Sequence, residues 1–160
     1  MTASRRDFLK TIGGATVCAC TGLTGANGCA MLRGVSRTAA IRPEAYTLDH
    51  GKLTIALDRC PCLAAAGGSG KLSIDTGDSK PMKMIVLHVK EGQYQAFTDR
   101  CTHGGRELNF LPGQEKLQCS SFGRSTFDLQ GQVLKGPAKE PLTGYPVEKR
   151  DNTLILTIAT

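Results

Sequence analysis

Three residues carry the chemistry most open to interpretation. Cys101 and His103 stand in "DRCTHGG", and Cys119 stands in "LQCSSFG". A thiolate and an imidazole one residue apart are soft donors that can grip a transition metal from a single loop. A second cysteine eighteen residues on, again backed by small residues and a glycine, offers a third donor from a second loop. Gly104, Gly105 and Gly123 would let the backbone wrap closely around a bound group. A histidine three residues after Cys119 would complete a two-by-two set, but Phe122 stands there, and a phenyl ring has no lone pair to donate. Spacing alone leaves metal binding and simple packing of the cysteines both open.

Two loops that present ligands from strand ends need a β scaffold, and the rest of the sequence reads as one. From about Tyr46 the chain alternates short apolar segments with turn residues. "YTL" and "KLTIALD" flank Asp49-His50-Gly51; "KMIVLHV" and "YQAFTD" flank Lys90-Glu91-Gly92-Gln93. "TFDL" and "QVLKG" flank Gln130-Gly131; "YPVEK" and "LILTI" flank Arg150-Asp151-Asn152-Thr153. Four hairpin-like units with no stripe of 3.6-residue period predict a small all-β antiparallel domain. Nineteen glycines and seven prolines suit so turn-rich a chain.

The 160 residues accommodate one domain over 46–160, a polar linker over 34–45 that should be extended and mobile, and a leader over 1–33. In the leader, Arg5-Arg6 precede an uncharged stretch from Thr11 to Leu32, the pattern of a twin-arginine export signal. Its glycines, threonines and asparagine make it a poor membrane span, with a retained signal-anchor as the alternative. Cys18, Cys20 and Cys29 also lie there, in loose likeness to lipoprotein cleavage boxes. An exported location follows, periplasmic or anchored at the periplasmic face of the membrane. The leader holds half of the net charge of +6, and what remains, without a basic run, does not point to nucleic acid.

The segment from Tyr46 to Ile158 resembles the Rieske [2Fe-2S] domain. "DRCTHGGRELNF" is similar to its first cluster loop and "LQCSSFGRSTFDLQGQVLKGPAKEPLTGYPV" to its second loop and the stretch beyond, with Phe127, Asp128, Gly131, Gly136, Pro137 and Pro141 in the family's order. The resemblance implies a small antiparallel β fold with both cluster loops at one tip. It also implies that Cys101 and Cys119 bind one iron and that His103 supplies part of the second iron's ligands. The fourth position departs from the family, since Phe122 occupies it and one extra residue separates Cys119 from Phe127. Arg106 and Ser121 stand where respiratory relatives carry a disulfide.

The other histidines, His50 in a turn and His88 in a strand, are expected at surface or edge positions rather than as ligands. Cys60 and Cys62 flank Pro61 and are expected to pack, because a bridge between residues two apart would be strained. The reading is an exported iron–sulfur electron-transfer protein, or a subunit of an oxidoreductase, with a [2Fe-2S] cluster and an atypical fourth ligand. Its partner would be a redox protein or larger oxidoreductase complex docking at the loop tip. One alternative is a cluster-free Rieske-fold binding module whose tip Phe122 fills; another is a mononuclear metal such as zinc on Cys101, His103 and Cys119. No nucleophile–base pair or phosphate loop marks the chain as a stand-alone enzyme.

Overall fold

The computed structural model describes residues 38–158, Asp78 apart, so the leader and the first part of the linker lie outside the described residues. In chain order the strands are β1 (Ala39–Ala40), β2 (Tyr46–Asp49), β3 (Lys52–Ala56), β4 (Ser69–Ile74), β5 (Met82–Lys90) and β6 (Gln93–Thr98). They continue as β7 (Leu108–Leu111), β8 (Lys116–Cys119), β9 (Thr126–Phe127), β10 (Val133–Lys135), β11 (Gly144–Tyr145), β12 (Val147–Arg150) and β13 (Thr153–Thr157). Helical structure among the described residues is confined to three-residue 3₁₀ turns. The fold is all-β, as the hairpin pattern predicts.

The strands form three sheets, ordered β1-β4-β5-β6-β11, β12-β13-β3-β2 and β10-β9-β8-β7. All pairings are antiparallel except β1 with β4. The first sheet packs on both faces, and β5 shows why its sequence does not alternate. Met84 and Val86 enter a core with Leu53, Ile55, Leu154 and Leu156 from β3 and β13. Ile85 and Leu87 point the other way, into a core with Leu108, Phe110, Leu117 and Phe127. A strand covered on both sides reads as a continuous apolar run, and each large side chain so buried contributes roughly 1.5–3 kcal/mol.

The turns follow the chemistry of their residues. His50 and Gly51, with φ of 43° and 72°, make the two-residue β2–β3 connection, a turn that suits the twist of the flanking strands. The stretch expected to be a mobile linker is in part docked. Ala39–Ala40 pair with Gly70 and Lys71, and Ile41 and Ala45 are buried in the first core. Burial of those two apolar side chains outweighs the freedom the segment loses. His88 is also not at a surface or edge: it is buried, stacks on Tyr94 with ring centroids 4.3 Å apart, and its Nδ1 is 2.8 Å from the Leu63 carbonyl oxygen. His50 is exposed, as expected of a turn. Cys60 lies in the first core, Cys62 packs at its margin, and both are free thiols.

Candidate metal centre

The third sheet carries the two loops in question. Loop one, residues 100–107, runs from the end of β6 to β7; loop two, residues 120–125, runs from β8 to β9. Strands β7 and β8 are paired with Leu108 opposite Cys119, so the register itself sets the two loop bases side by side. Loop one closes on its own backbone: the Cys101 amide donates to the Arg106 carbonyl at 2.7 Å, and the Gly105 amide to the Cys101 carbonyl at 2.7 Å. Gly105 turns with φ of 68°, which a side chain would resist. Loop two is held by the Cys119 amide to the Ser125 carbonyl at 2.8 Å and the Ser120 amide to the Glu107 carbonyl at 2.9 Å.

The loop beyond β10 clamps the tip from the far side. Gly136 has φ of 103°, and a Cβ there would sit 2.6 Å from the Ser125 Cα, so only glycine lets these backbones approach. The Ala138 amide donates to Ser125 Oγ at 3.1 Å, and Thr102 Oγ1 donates to the Glu140 carbonyl at 2.8 Å.

The result brings together the donors singled out by their spacing. The donor atoms of Cys101, His103 and Cys119 all lie within 4.8 Å of one another, and Cys101 Sγ is 3.3 Å from His103 Nδ1. Both cysteines are buried and the histidine is exposed. Burial raises the Cys101 thiol above its usual range and neighbouring Cys119 adds to this, while a backbone hydrogen bond at His103 and the Ser125 hydroxyl work against it. A metal ion would reverse that balance, since a coordinated thiol loses its proton. The Ser121 amide points at Cys119 Sγ at 3.5 Å, a donor suited to a sulfur that carries charge. Phe122 has no part in this group: its side chain is fully exposed at 105%. It therefore does not fill the tip with apolar contacts.

One buried group at the site was not foreseen. Asp99, only 2% exposed and two residues before Cys101, accepts the Leu108 amide through Oδ1 at 2.6 Å and pairs through Oδ2 with Lys71 at 3.0 Å. It thus joins the base of loop one to the strand that registers Cys119. Burial raises its carboxyl above the usual range despite the Leu108 amide and Lys71, which pull it down. Glu107 completes the network with Lys71 at 3.2 Å and Lys83 at 3.0 Å; those two lysines hold its carboxyl below the ordinary range. The position of Asp99 at the mouth of loop one is the only sign of it in the sequence.

A family model described as the Rieske [2Fe-2S] domain matches residues 65–146, just over half of the chain, and the chain belongs to that family. It is 30% identical over 77 residues to the 3-phenylpropionate/cinnamic acid dioxygenase ferredoxin subunit of Photorhabdus laumondii, covering 47% of this chain and 73% of that protein. To the ferredoxin subunit of the same description from Shigella boydii it is 29% identical over 101 residues, 62% of this chain and 90% of that one. Among solved structures, a chain from the complex of reduced oxygenase and oxidized ferredoxin in carbazole 1,9a-dioxygenase superposes with a TM-score of 0.52 at 18% identity, over 68% of this chain and 94% of its own; that likeness is one of fold.

The family's group is a [2Fe-2S] cluster, which supplies one-electron transfer when bound. Three residues here fit it: two adjacent buried thiols from opposed loops and one imidazole at the rim, with an amide aimed at one sulfur.

Proposed function

We propose that this chain is a one-electron carrier, the ferredoxin-like component of a larger oxidoreductase, with Cys101 and Cys119 holding one iron of a [2Fe-2S] cluster and His103 the other. The convergence of those three donors at the tip of the third sheet, in a chain of the Rieske family, carries the reading. The relatives named as dioxygenase ferredoxin subunits support a redox protein as its partner. The residues around the site have definite tasks. Ser121 and Ser125 direct an amide and a hydroxyl at the sulfurs, Asp99 fixes the spacing of the loop bases, and buried Leu108, Phe110 and Phe127 keep water from the cysteine side.

In this reading the fourth ligand position has no protein donor, because Phe122 has no lone pair to give, and the second iron of a bound cluster would take water, hydroxide or an outside ligand beside His103. With one imidazole in place of two, the pH dependence of the potential should differ from the usual two-histidine pattern. Arg5-Arg6 and the uncharged stretch behind them support export by the twin-arginine route to the periplasmic side, cleaved or retained as an anchor. Replacing both arginines by lysine and fractionating the cells tests that part; retention of the variant in the cytoplasm is expected, and an unchanged distribution would contradict it.

The ligand assignment is tested by single substitutions. Cys101→Ala and Cys119→Ala should each lose iron, sulfide and visible colour, while Cys60→Ala keeps all three. Colour that survives Cys101→Ala, or disappears with Cys60→Ala, would overturn it. A second reading, one metal ion on the same three residues, is favoured by the 3.3 Å approach of Cys101 Sγ to His103 Nδ1, close to the spacing of two ligands on one ion. Metal without inorganic sulfide would select it.

A further inference from the structure

Three large apolar side chains are exposed among the described residues: Leu48, Phe122 and Leu134. Leu48 lies on β2, in the sheet that does not carry the loops, at 38% exposure; Phe122 stands at the tip at 105%. Nothing in the packing explains a phenyl ring held in water between Ser121 and Gly123, for the loop closes through backbone contacts from Ser121 to Arg124 and against Pro137. The loops and the clamp of the tip are rich in cations. Arg100 lies with its guanidinium against Gly105, Arg106 and Arg124 belong to the two loops, and Lys135 and Lys139 flank the clamp that touches Ser125 and Thr102. All five are exposed. Of the two acids in the same loops, Glu107 is already paired with Lys71 and Lys83, which leaves Glu140. An aromatic anchor inside a charged rim is the anatomy of a docking hot spot.

Resting on the electron-carrier reading above, we propose that Phe122 is the anchor by which the tip docks, and that its partner is a redox protein presenting an apolar pocket ringed by carboxylates. The residue in the slot of an absent ligand then serves recognition. Anchor and exposed His103 belong to the same tip, so docking brings the partner's redox group towards the ligand side of the site. The rim would steer encounter and make it salt-dependent, while the anchor sets the lifetime of the complex.

The test uses anaerobic, oxidised holoprotein and two reductants: flavodoxin hydroquinone as an acidic protein probe and the methyl viologen radical cation as a small cation. Each passes one electron to the site; flavodoxin leaves as its semiquinone and the viologen as its dication. The rate with flavodoxin should fall as salt is raised, and the rate with viologen should rise, since the rim repels it. Phe122→Ser should lower the flavodoxin-to-viologen rate ratio about thirtyfold, the loss of one hot-spot side chain. Leu48→Ser should leave the ratio within twofold, and Arg124→Glu should flatten the salt dependence. A ratio unmoved by Phe122→Ser, or a flavodoxin rate that rises with salt, would overturn the proposal. Phe122-dependent binding to phosphatidylserine vesicles without the flavodoxin effect would overturn it in favour of a membrane surface. Holoprotein that takes up no electron from either reductant would refute the carrier reading itself, and the docking proposal with it; preserved viologen reduction without the Phe122 effect would refute docking alone.

Discussion

Asp99→Ala should destabilise the loop base clearly, and Asp99→Asn should be close to harmless. The carboxylate is 2% exposed, accepts the Leu108 amide at 2.6 Å and pairs with Lys71 at 3.0 Å. Alanine leaves the buried Leu108 amide without an acceptor, which should cost about 1–3 kcal/mol. Asparagine keeps an oxygen for the Leu108 amide. It gives up the charge, but the carboxyl is held above its usual range, so burial already outweighs what Lys71 and Leu108 return to the charged form. The sign is therefore clear: a folded-state value raised above the unfolded one means that ionising Asp99 costs stability, and the Asn change should cost about 1 kcal/mol or less. Lys71, only 17% exposed, keeps Glu107 in either variant. In an anaerobic urea titration of the holoprotein followed by circular dichroism, alanine should lower the midpoint by about 1 M at a slope of ~2 kcal/mol/M, and asparagine by about 0.5 M or less. Equal losses for Asn and Ala would show that the Lys71 ion pair, and not the acceptor for Leu108, holds the loop base.

The same geometry fixes the outcome of other perturbations. Gly136→Ala should destabilise by at least about 2 kcal/mol through its φ of 103° and the clash with the Ser125 Cα, whereas Gly113→Ala, with open space around it, should stay within about 0.5 kcal/mol; thermal melts of the two variants decide. Glu107 is depressed by Lys83 and Lys71, so the stability it provides is present above the ordinary glutamate value and is lost as pH falls through its lowered one. Glu107→Gln should lower the melting temperature at pH 6 and flatten its decline on acidification; parallel curves for the two proteins would exclude this role. Burial, then neighbouring Cys62 and Asp58, push the Cys60 thiol up to about 11. At pH 8 Cys60 should react with iodoacetamide on the order of a hundredfold more slowly than an ordinary cysteine, as read by mass spectrometry of the native holoprotein; labelling at the ordinary rate would show that the first core does not enclose it.

What the sequence discloses here depends on whether the signal is local. The β2–β3, β5–β6 and β12–β13 hairpins announce themselves through turn residues beside the strands they join. The β9–β10 hairpin forms as well, but its strands shrink to Thr126–Phe127 and Val133–Lys135 because the Asp128 side chain organises the turn, accepting the Gln130 and Gln132 amides. Cys101, His103 and Cys119 were legible because loop, spacing and glycine context agree. The docking of Ala39–Ile41 was not, since a two-residue parallel strand leaves no periodicity and its partner lies about thirty residues away. His88 read as a surface residue because its imidazole is polar; Leu63 and Tyr94, which let it be buried, are brought to it only by the fold. The Lys71–Asp99–Glu107–Lys83 network is hidden for the same reason, each charge being ordinary in its own segment. Phe122 shows the opposite limit: its identity was plain, and its outward direction was not.

The central claim is that Cys101, His103 and Cys119 hold a [2Fe-2S] cluster with Phe122, not a histidine, three residues after Cys119. Iron and acid-labile sulfide should be quantified in anaerobically isolated protein, with an EPR spectrum recorded after dithionite. The account predicts two irons and two sulfides per chain and a rhombic signal of low average g. A single metal without sulfide, or colourless protein free of both, would contradict it.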